Sequence, residues 1–591
     1  MPVTMKINCD IRSYLLRLPE NQLLSVLALV VGVCSGIAAV ILKKGVSFVQ
    51  WLLTSWFNTP EDSLLFLIYP GVGMLIALLI VRYFIKDNIG HGVTKVLVAV
   101  SKNDAKIKPH NMWSSILTST FTIGFGGSVG AEAPIVYTGA AIGSNVGKYF
   151  HLPFKNITIL LGCGAAGALA GIFKAPLAGV LFTLEILLFN MSMSSILPFV
   201  ISAITACCVS YFFLGNAVAF ENTITPFHFG NTPYYVVFGI LCGFASLYFT
   251  RVTLFLEDRI KLISNVYERW LICALCLGLL IFLFPPLYGE GYDTLTALLN
   301  GNSTEAVGHA VFADLLSNPW MFLFFFVAVF LLKVFSMTLT NAGGGVGGTF
   351  GPTLVIGGLF GFVAVRCASL CGANSLPETN FVLVGMAGLM SGVMQAPMTA
   401  IFLIAEITGG YDLIMPLIIV SAISFGTIRV FEPYSIYTKR IAKSGELLTH
   451  DSDHTVLTLM KIDSVVEKDF STVEIDASLG QMVKVIAHSR RNIFPIIDSR
   501  NTYQGSVSLD DVRVVMFDSA KYDSMHVYNF LKPSPALCYD DESMEDVMAK
   551  FEKTGAWNLP VVSRDRKYIG FVSKSQIFSV YREQLKQVSH D

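Results

Sequence analysis

Gly126-Gly127-Ser128-Val129-Gly130-Ala131-Glu132-Ala133-Pro134 and Gly343-Gly344-Gly345-Val346-Gly347-Gly348-Thr349-Phe350-Gly351-Pro352 are two versions of one glycine-rich stretch. Working outward, each is followed by an Ala-Pro pair, Ala175-Pro176 and Ala396-Pro397. Nine residues beyond each of those prolines stands a lone acid in apolar sequence, Glu185 and Glu406. A glycine run that opens an apolar helix, repeated in both halves of a membrane chain, points to a substrate site built from helix ends. The first copy carries a glutamate inside its glycine run and the second does not. That asymmetry is where the mechanism is expected to lie.

Composition agrees on the class. Hydrophobic residues make up 53% of the chain and charged residues 14%, with a mean hydropathy of +0.61. Leu23 to Leu42 and Leu64 to Val81 are uncharged and long enough to cross a bilayer. Asn156 to Leu184 and Gly343 to Gly361 are interrupted by Gly or Pro, and irregular backbone at membrane depth survives only beside protein or a watery cavity. The expectation is a polytopic α-helical membrane protein with broken helices. A net charge of -1 identifies no partner and gives no reason to expect nucleic acid.

The 11 cysteines lie mostly in apolar segments, where Cys behaves as a small hydrophobe. Cys273 and Cys276 have CxxC spacing within an apolar run, without the second ligand pair that a metal site needs, so no metal is expected. No cleavable signal peptide is apparent. Residues 1–21 are polar and contain Lys6, Arg12 and Arg17, and Lys439, Arg440 and Lys443 close the apolar region. Basic flanks stay cytoplasmic, so both termini are expected inside, with an even number of crossings.

After a connection at residues 443–460 the pattern becomes charged and alternating. Leu479, Met482, Val483 and Ile486 form a helical stripe that Met544, Val547, Met548 and Phe551 repeat 65 residues later. The same offset relates Pro495 to Pro560, Gly505 to Gly570 and Ser508 to Ser573. This α/β tandem, from about Lys461 to Gln587, resembles a pair of CBS domains, at residues 461–520 and 526–588. The resemblance implies an adenine nucleotide (ATP, ADP or AMP) as an optional ligand, its ribose held by Ser508 and Asp511. In the second copy Ser573 is followed by Gln576, which leaves that contact in question. A packing and dimerisation module is the alternative.

Residues 22–442, with repeats at about 64–215 and 270–442, resemble the CLC family of chloride channels and proton-coupled chloride exchangers. Gly130-Ala131-Glu132-Ala133-Pro134 is similar to that family's G-[KR]-E-G-P segment, with Ala131 and Ala133 as departures. Gly348-Thr349-Phe350-Gly351-Pro352 fits its G-x-F-x-P segment, and Gly90-His91-Gly92-Val93-Thr94 is a weaker version of G-S-G-I-P. The resemblance implies roughly eighteen helices in two inverted repeats, a homodimer with one pathway per subunit, and chloride or a similar small anion as cargo. Proton-coupled exchange across a bacterial inner membrane is the preferred expectation, with no enzymatic activity and no required cofactor.

Elementary electrostatics supports the same site. A helix N-terminus presents unpaired N–H groups and about half a positive charge. Several such ends bind an anion without a fixed cation, and glycine lets the backbone come close. The resemblance implies that the backbone N–H groups of Thr349 and Phe350, with Gly130 beside them, face the anion. Glu132, between glycine turns at a positive helix end, can occupy an anion site itself and release it on protonation; intramembrane acids are functional by default. The resemblance makes Glu132 the gate and places Tyr437, with Tyr434 as rival, facing the anion from inside. His91 stands where the family has a coordinating serine, either donating to the anion or facing the cytoplasmic vestibule. Glu185 and Glu406 are expected to have structural or interface roles, and Lys174 to be a helix-end cation.

Ile186 stands where exchangers often carry an inner proton-transfer glutamate, which keeps a passive gated channel open as the alternative. A CBS-regulated divalent-cation transporter would need clustered pore carboxylates. A nucleotide sensor on a membrane anchor would not need repeated broken helices. Both are remote alternatives.

Overall fold

The computed structural model describes residues 17–56, 65–87, 89–102, 105–187, 193–215, 224–307, 318–372, 376–443 and 462–580. The chain divides into two compact units, Met1–Leu447 and Leu448–Asp591.

Eighteen α-helices are described in the first unit. The first half contains α1 (Glu20–Trp56), α2 (Leu65–Leu79), α3 (Gly92–Lys102), α4 (Ser114–Gly124), α5 (Glu132–Tyr149), α6 (Phe154–Phe173), α7 (Pro176–Ile186) and α8 (Met193–Leu214). The second contains α9 (Thr232–Lys261), α10 (Val266–Leu283), α11 (Tyr292–Leu299), α12 (Ser303–Val307), α13 (Pro319–Ala342), α14 (Phe350–Leu370), α15 (Glu378–Met394), α16 (Pro397–Ile407), α17 (Ile414–Phe431) and α18 (Ile436–Lys443). Among the described residues, nine helices are long and apolar enough to cross a bilayer, while α7 and α16 are shorter apolar pieces.

Packing repeats between the halves. Helix α5 lies on α6 as α14 lies on α15, and α1 packs with α6 and α8 as α9 packs with α15 and α17. The equivalence thus includes α1 and α9, which precede the two repeats drawn from sequence. Glycines set the closeness of these pairs. A Cβ at Gly139 of α5 would lie 2.1 Å from the Gly164 carbonyl oxygen, and one at Gly357 of α14 would lie 2.3 Å from that of Gly385. Small residues at such contacts let helix backbones touch, the usual device where lipid supplies no hydrophobic drive.

Both breaks before the short helices are made alike. Lys174 and Gln395 end α6 and α15 in the left-handed region, at φ 58° and 54°. Pro176 and Pro397 then start α7 and α16, where a missing N–H costs nothing. Lys174 Nζ reaches the Gly215 carbonyl at 2.8 Å, as a helix-end cation does.

In the second unit, β1 (Val473–Glu474), β2 (Ile493–Ile497) and β3 (Tyr503–Ser508) form one sheet, and β4 (Cys538–Tyr539), β5 (Asn558–Val562) and β6 (Tyr568–Ser573) another. In each the first pair is parallel and the second antiparallel, with Val473 opposite Ile496 and Cys538 opposite Val561. Helices α19 (Leu479–His488), α20 (Leu509–Val512) and α21 (Met544–Thr554) accompany the strands. Leu479 and Met482 of the first stripe, and Met544, Val547 and Phe551 of the second, are buried in the two cores. Chain order and packing part company in both directions: Val527, within residues 526–588, lies in the core of the first copy. Ile462 and Val465, within residues 461–520, lie in the core of the second copy. Glu467 beside them exchanges two backbone hydrogen bonds with Phe571, which fastens this segment to β6.

Candidate functional site

The two glycine stretches meet. Gly130 N–H donates to the Gly348 carbonyl at 3.1 Å, and Gly348 N–H donates back to Gly130 at 2.7 Å. Each half also holds the other's loop through a buried threonine. Thr340 Oγ1 accepts from Ser128 N–H at 3.2 Å, and Thr122 Oγ1 accepts from Val346 N–H at 3.1 Å. Ser128 and Ser336 hydroxyls add a contact at 2.9 Å. Two loops from distant parts of the chain thereby form one rigid junction, with α5 and α14 starting on either side.

Glu132 opens α5 and is 2% exposed. Its carboxylate crosses the junction: Oε2 accepts from Gly351 N–H in the first turn of α14 at 3.1 Å. The other oxygen, Oε1, accepts from the Tyr292 hydroxyl at 2.7 Å. The carboxylate therefore sits as an anion on a helix N-terminus, in the kind of position a free anion would take. A Cβ at Gly130 would lie 2.1 Å from Glu132 Oε2 and 2.9 Å from the Gly351 nitrogen, so this glycine leaves room for the carboxylate.

Thr349 and Phe350 are buried at the start of α14, where Phe350 packs against Phe173 and Phe182. Thr349 Oγ1 lies 3.5 Å from the Tyr437 hydroxyl, to which it donates. Tyr437, in the first turn of α18, is buried, whereas Tyr434 is 41% exposed. Geometry thus brings Tyr437, Thr349 and the seat of Glu132 to one place.

His91 precedes α3 with a left-handed φ of 54°. The start of α3 abuts α5, since a Cβ at Gly92 would lie 2.4 Å from the Ala133 carbonyl oxygen. The imidazole is partly exposed, with Nε2 3.9 Å from Glu257 Oε1, and Glu257 is paired with Arg440 at 2.6 Å. That pair makes the surroundings of His91 ionic.

Glu185 and Glu406 cap each other's helices. Glu185 accepts from Met398 N–H at 2.9 Å and Thr399 N–H at 2.6 Å, at the start of α16. Glu406 accepts from Leu177 N–H at 3.0 Å and Ala178 N–H at 2.9 Å, at the start of α7. Their place is structural, where a carboxylate complements a positive helix end. Ile186 is buried in α7.

Three further residues belong to this neighbourhood and had no motif to announce them. Besides Tyr292, Glu290 Oε1 accepts from Ala131 N–H at 2.9 Å, one residue before the gate candidate. Lys333 of α13, fully buried, donates to the carbonyls of Leu287 at 3.2 Å and Gly289 at 2.9 Å. An acid between Gly289 and Gly291, and one cation in an otherwise uncharged helix, were the available signals.

In the second unit the Ser508 hydroxyl donates to Asp511 Oδ2 at 2.8 Å, and Lys532 pairs with the same carboxylate. Burial pushes the Asp511 pKa up, but hydrogen bonds from Lys532 and Ser508 outweigh it and hold the carboxyl below the usual range. Ser573 instead donates to Glu467 Oε1 at 2.5 Å and accepts from Gln576 N–H at 3.1 Å.

Paired broken helices whose ends meet at a buried carboxylate define a polytopic membrane transporter with a helix-end site. The chain belongs to the voltage gated chloride channel family, whose sequence profile matches residues 72–429. A CBS domain profile matches residues 527–583. The chain is 30% identical over 442 residues to the H(+)/Cl(-) exchange transporter ClcA of Vibrio vulnificus (strain YJ016), covering 70% of this chain and 90% of that one. Its fold is similar to that of a slow cyanobacterial Cl-/H+ antiporter, with a TM-score of 0.61 at 21% identity, over 72% of this chain and 98% of the other. A eukaryotic CLC transporter matches with a TM-score of 0.59 at 17% identity, over 94% of this chain and 97% of the other.

Proposed function

We propose that this protein exchanges a chloride-type anion for protons across a membrane, with Glu132 as both gate and proton carrier. The observation that carries this reading is the Glu132 carboxylate on Gly351 N–H. Ionised, it competes with the anion for the α14 end. Protonated, it loses the attraction of the helix end and yields the seat, and on leaving it takes a proton along. Hydrogen bonds to a charged group are worth about 1.5–3 kcal/mol each, against an ion desolvation cost of several kcal/mol. Terms so nearly balanced let one proton or one anion decide the occupant. Relatives named as H(+)/Cl(-) exchange transporters support the coupling.

Backbone N–H groups of Thr349 and Phe350, the close approach at Gly130 and the Tyr437 hydroxyl would serve the anion, with His91 at the Glu257–Arg440 edge. A homodimer in a bacterial inner membrane, both termini cytoplasmic, is part of the same reading. The CBS pair would bind an adenine nucleotide through Ser508 and Asp511, with Ser573 contributing less because Glu467 already engages it. One observation favours a passive channel instead: Ile186, buried on α7, can carry no proton.

The deciding experiment uses purified protein in liposomes under a chloride gradient, with voltage clamped by a potassium ionophore and internal pH recorded. Uphill proton movement driven by chloride is expected. Chloride flux without it would replace the exchanger reading by the channel.

A further inference from the structure

We propose that Tyr292 is the latch of the gate, and that its hydroxyl sets the pH at which the Glu132 carboxylate leaves α14. This rests on the reading of Glu132 as a protonatable gate. The two carboxylate oxygens have separate holders. Gly351 N–H takes Oε2 at 3.1 Å, and the Tyr292 O–H donates to Oε1 at 2.7 Å, the shorter of the two. The amide belongs to the anion seat itself, whereas the hydroxyl comes from α11, outside both glycine stretches.

What makes Tyr292 more than a passing contact is how firmly its segment is tied to the first glycine stretch. Gly289 N–H donates to the Gly126 carbonyl at 3.0 Å, and Glu290 Oε1 accepts from Ala131 N–H at 2.9 Å. Lys333 grips the same turn from behind, through the carbonyls of Leu287 and Gly289. Gly291, at φ 95°, then turns the chain into α11 and delivers the tyrosine to the carboxylate. The hydroxyl is thus preorganised against Glu132 and does not depend on a mobile side chain finding it.

A phenolic O–H gains more from an ionised acceptor than from a neutral acid. It therefore stabilises the seated, charged gate over the protonated one. Other charged or titratable groups lie on the elements packed nearby: Glu290, which accepts from the adjacent Ala131 N–H, Lys333 behind the same turn, Tyr437 beside Thr349, and the separate cluster of His91, Glu257 and Arg440. Among these described side chains and Tyr292, it is Tyr292 that donates to the carboxylate directly.

The test is the initial rate of chloride flux against pH in liposomes for wild type, Tyr292→Phe, Glu132→Gln and the double variant. Phenylalanine keeps the ring and removes only the donor. The expected half-activation pH of Tyr292→Phe is about one unit more alkaline, the shift that roughly a tenfold gain in proton affinity gives. The double variant is expected to match Glu132→Gln. An unshifted profile for Tyr292→Phe, beside a flat one for Glu132→Gln, overturns the latch alone. The same rate change from Tyr→Phe in both backgrounds also overturns it, making Tyr292 pathway wall. A Glu132→Gln profile that keeps the wild-type pH dependence overturns the gate reading beneath it.

Discussion

Glu132 and Phe350 stand at the same point of two glycine stretches whose backbones are nearly interchangeable. Both stretches turn through a left-handed glycine, Gly126 at φ 89° and Gly344 at φ 106°. Both are fastened by a threonine from the opposite half, and both launch a helix that lies glycine-to-glycine on the next. Yet one helix begins with an acid and the other with an aromatic ring packed into Phe173 and Phe182. The acid of the first copy uses the bare amide of the second, so duplication made the seat and divergence made its occupant. A symmetric pair of acids would bring two like charges to one junction, and a symmetric pair of rings would leave nothing to titrate.

The comparison can be broken at the glycines that face each other. Gly130→Ala would put its methyl 2.1 Å from a Glu132 oxygen, whereas Gly348→Ala meets the Ala133 Cβ at 2.8 Å. Gly130→Ala should unseat the carboxylate and raise chloride flux at alkaline pH by at least about tenfold, the effect expected when the charged hydrogen bond that holds the gate is lost, whereas Gly348→Ala should only slow flux. The sharper distinction is that Gly130→Ala should also flatten the pH profile. Equal pH profiles in the two variants would deny that Gly130 clears space for the gate.

A second comparison concerns the CBS copies, which also differ in what they carry on one frame. Ser508 and Asp511 hold each other and Lys532, while Ser573 is held by Glu467. Calorimetric titration of the full chain with ATP should show binding that Asp511→Ala weakens at least about tenfold, consistent with loss of a charged contact. Ser573→Ala should matter less. Equal losses would place the nucleotide symmetrically, and no heat in wild type would leave the pair as a packing module.

The smallest effect is expected where the halves remain symmetric. Glu185→Gln and Glu406→Gln each weaken a helix cap, worth about 0.5–2 kcal/mol. Their thermal stabilities should fall by similar amounts, with proton coupling retained. A selective loss of coupling in Glu185→Gln would give that residue a transport role.

Much of this was legible because its causes are local. Glycine runs, Ala-Pro breaks and an offset of 65 between two apolar stripes are written in consecutive residues. Glu132 was legible too, as an acid where acids are costly. Tyr292 and Lys333 were not, since each acquires meaning only by meeting a partner far along the chain. The Tyr292–Glu132 bond spans 160 residues. Tyr437 and Tyr434 could be narrowed to a pair by their motif, but burial distinguishes them and depends on how α18 docks. The reciprocal capping by Glu185 and Glu406 likewise needed two helices in place.

The most direct test of the central claim is proton flux through Glu132→Gln in liposomes holding a chloride gradient at clamped voltage. Glutamine keeps the shape and a hydrogen-bonding oxygen but can neither take up nor release the proton. The account predicts chloride movement with proton coupling abolished and flux independent of pH. Uphill proton transport that survives in Glu132→Gln would contradict it, because the proton would then travel on another residue.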